Sequence, residues 1–307
     1  MKAFGFTAYG GPEVAAVLEV PAPVPGPGEV LVDLRAAGVN PADIKVRSGE
    51  RQGVIEVRFP MAMGREAAGV VVAVGEGVSE WRPGDEVFGA TASGTGALAE
   101  QVLLEASATA RRPATLGWEQ AACLPVSAGT AFDALHELDL GPGQVLLVLG
   151  AGGGVGTSVI PLAVARGIRV IGVASAAKEA LVSSLGAEHV RSGVGWDDRV
   201  RSLASGGVDA LFDLVGGQVL PDGAGLLRSG RGPVSIASPG LATELGGGGV
   251  TRRRTTEVFD QVAELAASGV LDIHVSAAFP LHRAAEAVAL VESGHATGKV
   301  VVVPDRD

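Results

Sequence analysis

The chain has 307 residues with a formal net charge of −10, and 47% of its residues are hydrophobic. This composition permits a large packed core and excludes global disorder, and the acidic balance provides no general attraction to nucleic acid or anionic membrane. Cys123 is the single cysteine, which excludes an internal disulfide and a cysteine-cluster metal site. The apolar runs are strand-sized and the N-terminus lacks a signal-peptide pattern, so we expect a cytoplasmic protein without a membrane partner.

The first third of the chain has the pattern of short strands. Residues 21–28 are rich in proline and glycine, which predicts an extended loop. The loop leads into residues 30–35, where apolar and polar side chains partly alternate, as in a half-buried strand. A second strand is predicted between glycines at 69–75, and residues 81–88 form a turn that feeds another. Together these features predict an irregular barrel.

The pattern changes near residue 126 to alternating strands and helices. Strands are predicted at 144–149, 170–174, 208–215 and 232–238, and helices at 156–166 and 178–185. Repeated strand–helix–strand units predict a doubly wound parallel sheet, so the fold class is α/β. The chain closes with helices predicted at 256–268 and 282–292 and an apolar strand at 299–303.

The sequence G-A-G-G-G-V-G at 150–156 follows a predicted strand and opens a predicted helix. A helix N-terminus offers unpaired N–H groups and a positive dipole end, and glycines allow a pyrophosphate to approach the backbone. Ala151 stands where the usual fingerprint has its first glycine. The motif predicts dinucleotide binding through Gly152, Gly153, Gly154 and Val155.

The end of the next strand indicates which dinucleotide binds. NAD sites have an acidic residue about 20 positions after the first glycine, where it accepts hydrogen bonds from the ribose. Here the strand at 170–174 runs into Ser175 and Lys178, with no acid at its tip. This favours NADP(H), with both side chains as ligands of the 2′-phosphate. Alternatively, Ser175 caps the following helix and Lys178 is solvated, roles that are compatible with phosphate binding.

Several motifs, in order over nearly the whole chain, resemble the medium-chain dehydrogenase/reductase superfamily. They are Y-G-G-P-E-V at 9–14, G-V-N-P-A-D at 38–43, G-R-E-A-A-G at 64–69, G-D-E-V at 84–87, the glycine motif, residues 209–217 and G-H-A-T-G-K-V at 294–300. The most similar branch is that of zinc-free quinone oxidoreductases and enoyl reductases. The resemblance implies a GroES-like catalytic barrel (1–125 and 268–307), a Rossmann NADP(H)-binding domain (126–267) and a homodimer.

Zinc-dependent members of that family carry a cysteine and a histidine at two positions that match Asn40 and Arg65 here. The four-cysteine structural zinc loop is also absent. Amide and guanidinium groups do not replace the thiolate and imidazole ligands of such a site. The resemblance therefore implies a reductase without a metal, acting on an acceptor that is already activated.

The implied reaction is hydride transfer to a small-molecule acceptor, either a quinone or the β-carbon of an α,β-unsaturated carbonyl. The resemblance places Asn40, Lys45 and Arg65 in catalysis. It places further cofactor contacts at Thr130, Val215, Ala237 and Ser238.

Lys45 stands where many relatives have a tyrosine. It either replaces that tyrosine as an electrostatic or proton-donating group, or is solvated while water protonates the product. Asn40 and Asp43 can alternatively hold their loop by hydrogen bonds to the backbone.

Two other functions are compatible with the sequence. One is a tailoring enoyl or ketone reductase for a single biosynthetic intermediate, for example one like a polyketide. The other is an NADP(H)-binding sensor or structural protein with little turnover, which the missing tyrosine favours.

Overall fold

The computed structural model describes residues 1–228 and 230–305. Its strands are β1 Lys2–Phe6, β2 Ala15–Glu19, β3 Glu29–Val39, β4 Met61–Ala62, β5 Glu66–Val74, β6 Glu86–Thr91, β7 Gln101–Arg111, β8 Val145–Leu149, β9 Arg169–Ala174, β10 Glu188–Arg191, β11 Ala210–Asp213, β12 Val234–Ser235, β13 Val275–Pro280 and β14 Lys299–Val303. Its α-helices are α1 Pro41–Arg47, α2 Trp118–Ala121, α3 Gly129–Leu138, α4 Gly154–Val164, α5 Glu179–Ser184, α6 Trp196–Leu203, α7 Val219–Ala224, α8 Pro239–Glu244, α9 Thr256–Ala267 and α10 Ala284–Glu292.

The chain forms two compact units. The first unit contains residues 1–126, 254–268 and 273–307, and the second contains residues 127–253 and 269–272. The structure thus groups α9 with the first unit, whereas the sequence-based boundary at 267 assigns this helix to the nucleotide-binding domain. The reason is packing, because Phe259 is buried beside Phe88 with 6.1 Å between ring centroids, and the Thr256 hydroxyl donates to the Thr109 carbonyl at 2.7 Å.

The first unit contains the predicted irregular barrel. β3 pairs with both β5 and β7, and β6 lies between those two strands, so the four strands close into a ring. β14 extends this sheet by pairing antiparallel to β3 and parallel to β13. Val30, Val32 and Leu34 alternate along β3 into a core that Leu104 and Val302 share. This alternation places one face of each strand in the core.

The second unit contains the predicted parallel sheet, with the order β10-β9-β8-β11-β12. All of its strand pairings are parallel. β8 is buried along its whole length, as expected for a central strand covered on both faces. The strand order changes direction between β8 and β11, and open α/β sheets bind ligands at such a point, outside the carboxyl ends of the strands. The α/β fold class predicted from the sequence is confirmed.

Across residues 1–228 and 230–305, none of the helices combines the length and the apolar character that a membrane-spanning segment needs.

Candidate functional site

The glycine loop connects the end of β8 to the start of α4. Gly150 has φ +83°, a left-handed conformation that residues with a Cβ rarely adopt. The N–H groups of Gly150 and Ala151 both donate to the Val173 carbonyl at 3.0 Å, which fixes the loop on the neighbouring strand β9. Gly153 is the N-cap of α4 and supplies no side-chain cap. The first N–H groups of the helix are therefore left for another acceptor.

Ser175 and Lys178 lie directly after β9, as predicted. Ser175 is exposed and occupies the N-cap position of the short helical turn Ala176–Lys178, but its side chain makes no capping hydrogen bond. Lys178 is half-buried, and this burial lowers the pKa of its ammonium group. A bound anion would offset that loss of hydration.

The loops after β11 and β12 are held by a buried carboxylate that the sequence analysis missed. Asp213 is fully buried, and its Oδ1 accepts hydrogen bonds from the N–H groups of Val215 and Gly216, each at 3.0 Å. The Ser235 hydroxyl donates to Asp213 Oδ2 at 2.6 Å and accepts from the Ser238 N–H at 2.9 Å. The available signal was an acidic residue at the end of an apolar strand, three positions before a Gly-Gly pair.

The structure brings most of the predicted cofactor residues to one edge of the parallel sheet. The glycine loop, Ser175 with Lys178, Val215, and the pair Ala237 and Ser238 follow the carboxyl ends of β8, β9, β11 and β12, respectively. Val215 is 56% exposed at this edge, so its side chain is accessible to a ligand. Thr130 instead lies in α3 and is buried.

The predicted catalytic residues belong to the first unit. Asn40 is the N-cap of α1, and its Nδ2 donates to Glu66 Oε1 at 2.9 Å. The ammonium of Lys299 donates to Asn40 Oδ1 at 2.5 Å and to Glu66 Oε1 at 2.8 Å. Glu66 is 0% and Lys299 3% exposed, so this is a buried ion pair. Neither charged residue was predicted as part of the site, because nothing in the local sequence indicates that they pair.

Asp43 completes a capping box with Asn40. The Asn40 N–H donates to Asp43 Oδ2 at 2.8 Å and the Asp43 N–H donates to the Asn40 carbonyl at 3.0 Å, so the Asp43 side chain holds the backbone that leads into α1. Burial raises the pKa of the Asp43 carboxyl to about 7, although the positive charges of Arg65 and Lys299 oppose this shift. A catalytic role for Asn40 stays a prediction.

Arg65 lies beside Asp43, and both line a cavity of about 10 Å³ together with Phe6 and Met63. That volume is close to the minimum for one water molecule. The side chain of Arg254 also interacts with this charged group. Burial is the main cause that lowers the pKa of its guanidinium, and the positive charge of Arg65 lowers that pKa further. Lys45 is half-buried on α1 and is not part of the cavity lining.

Among the residues that the structure describes, no group of three or more histidine, cysteine, aspartate or glutamate side chains is arranged to hold a metal ion.

Two family models match the chain. The alcohol dehydrogenase GroES-like domain matches residues 26–121, and the model described as zinc-binding dehydrogenase matches residues 185–302.

The similarity to known proteins covers nearly the whole chain. The quinone oxidoreductase of Sus scrofa is 31% identical, covering 99% of this chain and 98% of the relative. The chloroplastic NADPH-dependent alkenal/one oxidoreductase of Arabidopsis thaliana is 32% identical, covering 99% of this chain and 80% of the relative. The solved quinone oxidoreductase of Coxiella burnetii superimposes with a TM-score of 0.89 at 30% identity, covering 99% of each chain.

Proposed function

Because the chain belongs to the medium-chain dehydrogenase/reductase superfamily and is an oxidoreductase, we propose that it is an NADPH-dependent, zinc-independent reductase. Its acceptor is a quinone or the β-carbon of an α,β-unsaturated carbonyl. The observation that carries the cofactor choice is the end of β9, where an exposed serine and a half-buried lysine stand and no acid is present. The relatives named for quinone and alkenal/one reduction support the acceptor class.

Two features of the second unit support the binding of NADP(H). The uncapped start of α4 at Gly154 would receive the pyrophosphate, and Ser175 and Lys178 would receive the 2′-phosphate. The Asp213 network holds Val215 and Ser238 in fixed loops at the same sheet edge. When bound, the reduced nicotinamide supplies the hydride.

The charged side chains of the first unit have different roles in this proposal. Both polar atoms of the Asn40 amide are already engaged by Glu66 and Lys299, so Asn40 acts as a positioning residue. Arg65 keeps its positive charge at all relevant pH values and would stabilise negative charge that develops on the acceptor oxygen. Lys45 either donates the product's proton or leaves that step to water.

No step of the proposed reaction uses a metal. The amide of Asn40 and the guanidinium of Arg65 stand where zinc-dependent relatives have metal ligands, and neither group suits Zn²⁺. We expect NADPH oxidation with 1,4-benzoquinone or a simple alkenal to continue undiminished after dialysis against a chelator. NADPH oxidation that stops after dialysis and returns with added zinc would contradict this part of the proposal.

Nucleotide binding is the first test. Quenching of tryptophan fluorescence should show tighter binding of NADPH than of NADH. Ser175→Asp and Lys178→Ala should each weaken NADPH binding roughly tenfold or more, the size expected for a hydrogen bond to a charged group. NADH binding should change little.

Ser183→Asp is the matched control, because it adds the same charge at an exposed serine of α5. Equal affinity for both nucleotides would overturn the choice of NADP(H), and the absence of binding would overturn the reductase. Binding without NADPH oxidation by any quinone or enone would favour the sensor alternative.

The proposal includes a homodimer, which the family resemblance implies, and a location in the cytoplasm, which the single cysteine favours. Light scattering coupled to size exclusion tests the dimer directly, and a monomeric mass at micromolar concentration would exclude it.

A further inference from the structure

Lys178 lies across the glycine loop in the second unit. A Cβ placed on Gly152 would meet three carbons of the Lys178 side chain, Cδ at 2.4 Å, Cβ at 2.9 Å and Cγ at 3.1 Å. Real Cβ atoms do not approach other carbons so closely. The side chain of Lys178 therefore occupies the space that any other residue at 152 would need.

This contact distinguishes Gly152 from the next glycine. A Cβ on Gly153 would meet only the Gly150 carbonyl oxygen, at an ordinary distance of 3.5 Å. Gly153 also has φ −90° and ψ 175°, a backbone conformation that alanine adopts readily. The two neighbours thus differ in whether an added Cβ would meet Lys178.

The position of Lys178 determines where its charge lies. The stem of a lysine packs on apolar surface while its ammonium reaches towards polar surroundings. With the stem seated on Gly152, the ammonium is half-buried, and Lys178 follows Ser175 by three positions in the chain. A methyl group at 152 would lift the stem and move the ammonium away from that place.

We propose that Gly152 is a specificity-determining residue: it leaves the space in which Lys178 is held towards the 2′-phosphate of NADP(H). This inference rests on the proposed function, because it concerns the same nucleotide site. It assigns to Gly152 a role in selecting the phosphorylated ribose, separate from the approach of the pyrophosphate to the loop.

The experiment is a double-mutant cycle read as the ratio of the dissociation constants of NADH and NADPH. The four proteins are wild type, Gly152→Ala, Lys178→Ala and the double variant. Gly152→Ala should lower the ratio roughly tenfold or more, as expected for loss of a charge-assisted hydrogen bond. In the Lys178→Ala background, the same substitution should leave the ratio unchanged.

Gly153→Ala is the matched control. It adds an equal methyl group to the loop without touching Lys178, so it should weaken both nucleotides alike and preserve the ratio. If Gly152→Ala also weakens both alike, the residue serves only pyrophosphate approach and the inference is wrong.

The outcomes separate the inference from the proposed function. A wild type without preference for NADPH defeats the proposed function itself. A preference that persists in Gly152→Ala defeats the inference alone.

If Gly152→Ala destabilises the folded protein, the thermal stability of the variants tests the same inference. In that case the inference requires the double variant to regain part of the lost thermal stability, because Lys178→Ala removes the Cγ and Cδ atoms that the methyl group would meet and keeps only the Cβ. A double variant as unstable as Gly152→Ala would contradict it.

Discussion

The buried charged cluster of the first unit and the loop ends around the glycine motif of the second unit differ in how far their polar groups have internal partners. In the first unit, Asn40, Glu66 and Lys299 are buried and hydrogen-bonded to one another within 3 Å. In the second unit, the start of α4 has no side-chain cap, and Ser175 is exposed at the end of the sheet. Groups that satisfy one another hold a structure together, whereas groups without internal partners are available to a ligand.

This difference predicts that substitutions in the buried cluster act on the stability of the fold, and that substitutions around the glycine loop act on binding. The largest effect should follow Lys299→Met, which leaves the Glu66 carboxylate buried without its cation. We expect the free energy of unfolding in urea to fall by about 3–5 kcal/mol.

The double variant Lys299→Met/Glu66→Gln should recover a large part of that loss, because no uncompensated charge remains. Lys178→Ala, the corresponding removal of a lysine in the second unit, should change stability by less than about 1 kcal/mol. If the two single lysine variants lose similar stability, the contrast between the units is not real.

Asp43 provides a second test of the contrast between the two units. Its carboxyl is buried in the first unit, and ionisation of this carboxyl lowers the stability of the folded protein. Its pKa is raised from 3.8 to about 7, so the folded protein retains a proton that the unfolded chain releases between these values. The carboxyl therefore lowers wild-type stability as pH rises through that window, and the loss is complete above it.

Asp43→Asn has no such titration. Relative to wild type, its stability should rise between pH 4 and pH 7 by up to about 4 kcal/mol. Urea unfolding at a series of pH values measures this, with Asp222→Asn at an exposed site as the matched control. A difference between Asp43→Asn and wild type that does not vary with pH would contradict the assigned titration.

The smallest expected effect concerns Ser235, which is buried in the second unit but belongs to the network that positions exposed loops. Ser235→Ala removes the hydroxyl that joins Asp213 to the Ser238 N–H. We expect a loss of about 1–2 kcal/mol in stability, together with weaker nucleotide binding because the loop that carries Ser238 loosens. Ser202→Ala, whose exposed hydroxyl bonds only within α6, should have neither effect. Unchanged nucleotide affinity in Ser235→Ala would show that the network serves folding alone.

Features encoded by neighbouring residues could be predicted from the sequence. The glycine loop, the parallel strands on either side of it and the lysine after β9 follow from local patterns of glycine, apolar runs and polar breaks. β14 was predicted with its observed bounds, whereas β10 was missed because Glu188–Arg191 is short and half charged.

Features that depend on distant residues could not be predicted in the same way. Glu66 and Lys299 are 233 positions apart, and neither sequence context indicates a partner. The grouping of α9 with the first unit depends on Phe259 meeting Phe88, a contact that an amphipathic helix does not reveal by itself. The position of Lys178 over Gly152 likewise requires coordinates, although both residues were singled out individually.

β14 is the last strand of the first unit to be synthesised, although it pairs with β3 from the start of the chain. This strand is inserted between β13 and β3, and it carries the ammonium that neutralises Glu66. A ribosome adds about 5–20 residues per second, so β3 lacks its β14 partner and Glu66 lacks its cation for many seconds after the ring of β3, β5, β6 and β7 has been made. The second unit is almost continuous in the chain and can close during that interval. Translation therefore supplies the whole parallel sheet before the last strand of the first unit, and truncation before residue 299 would leave the end of β3 as an open edge available for aggregation.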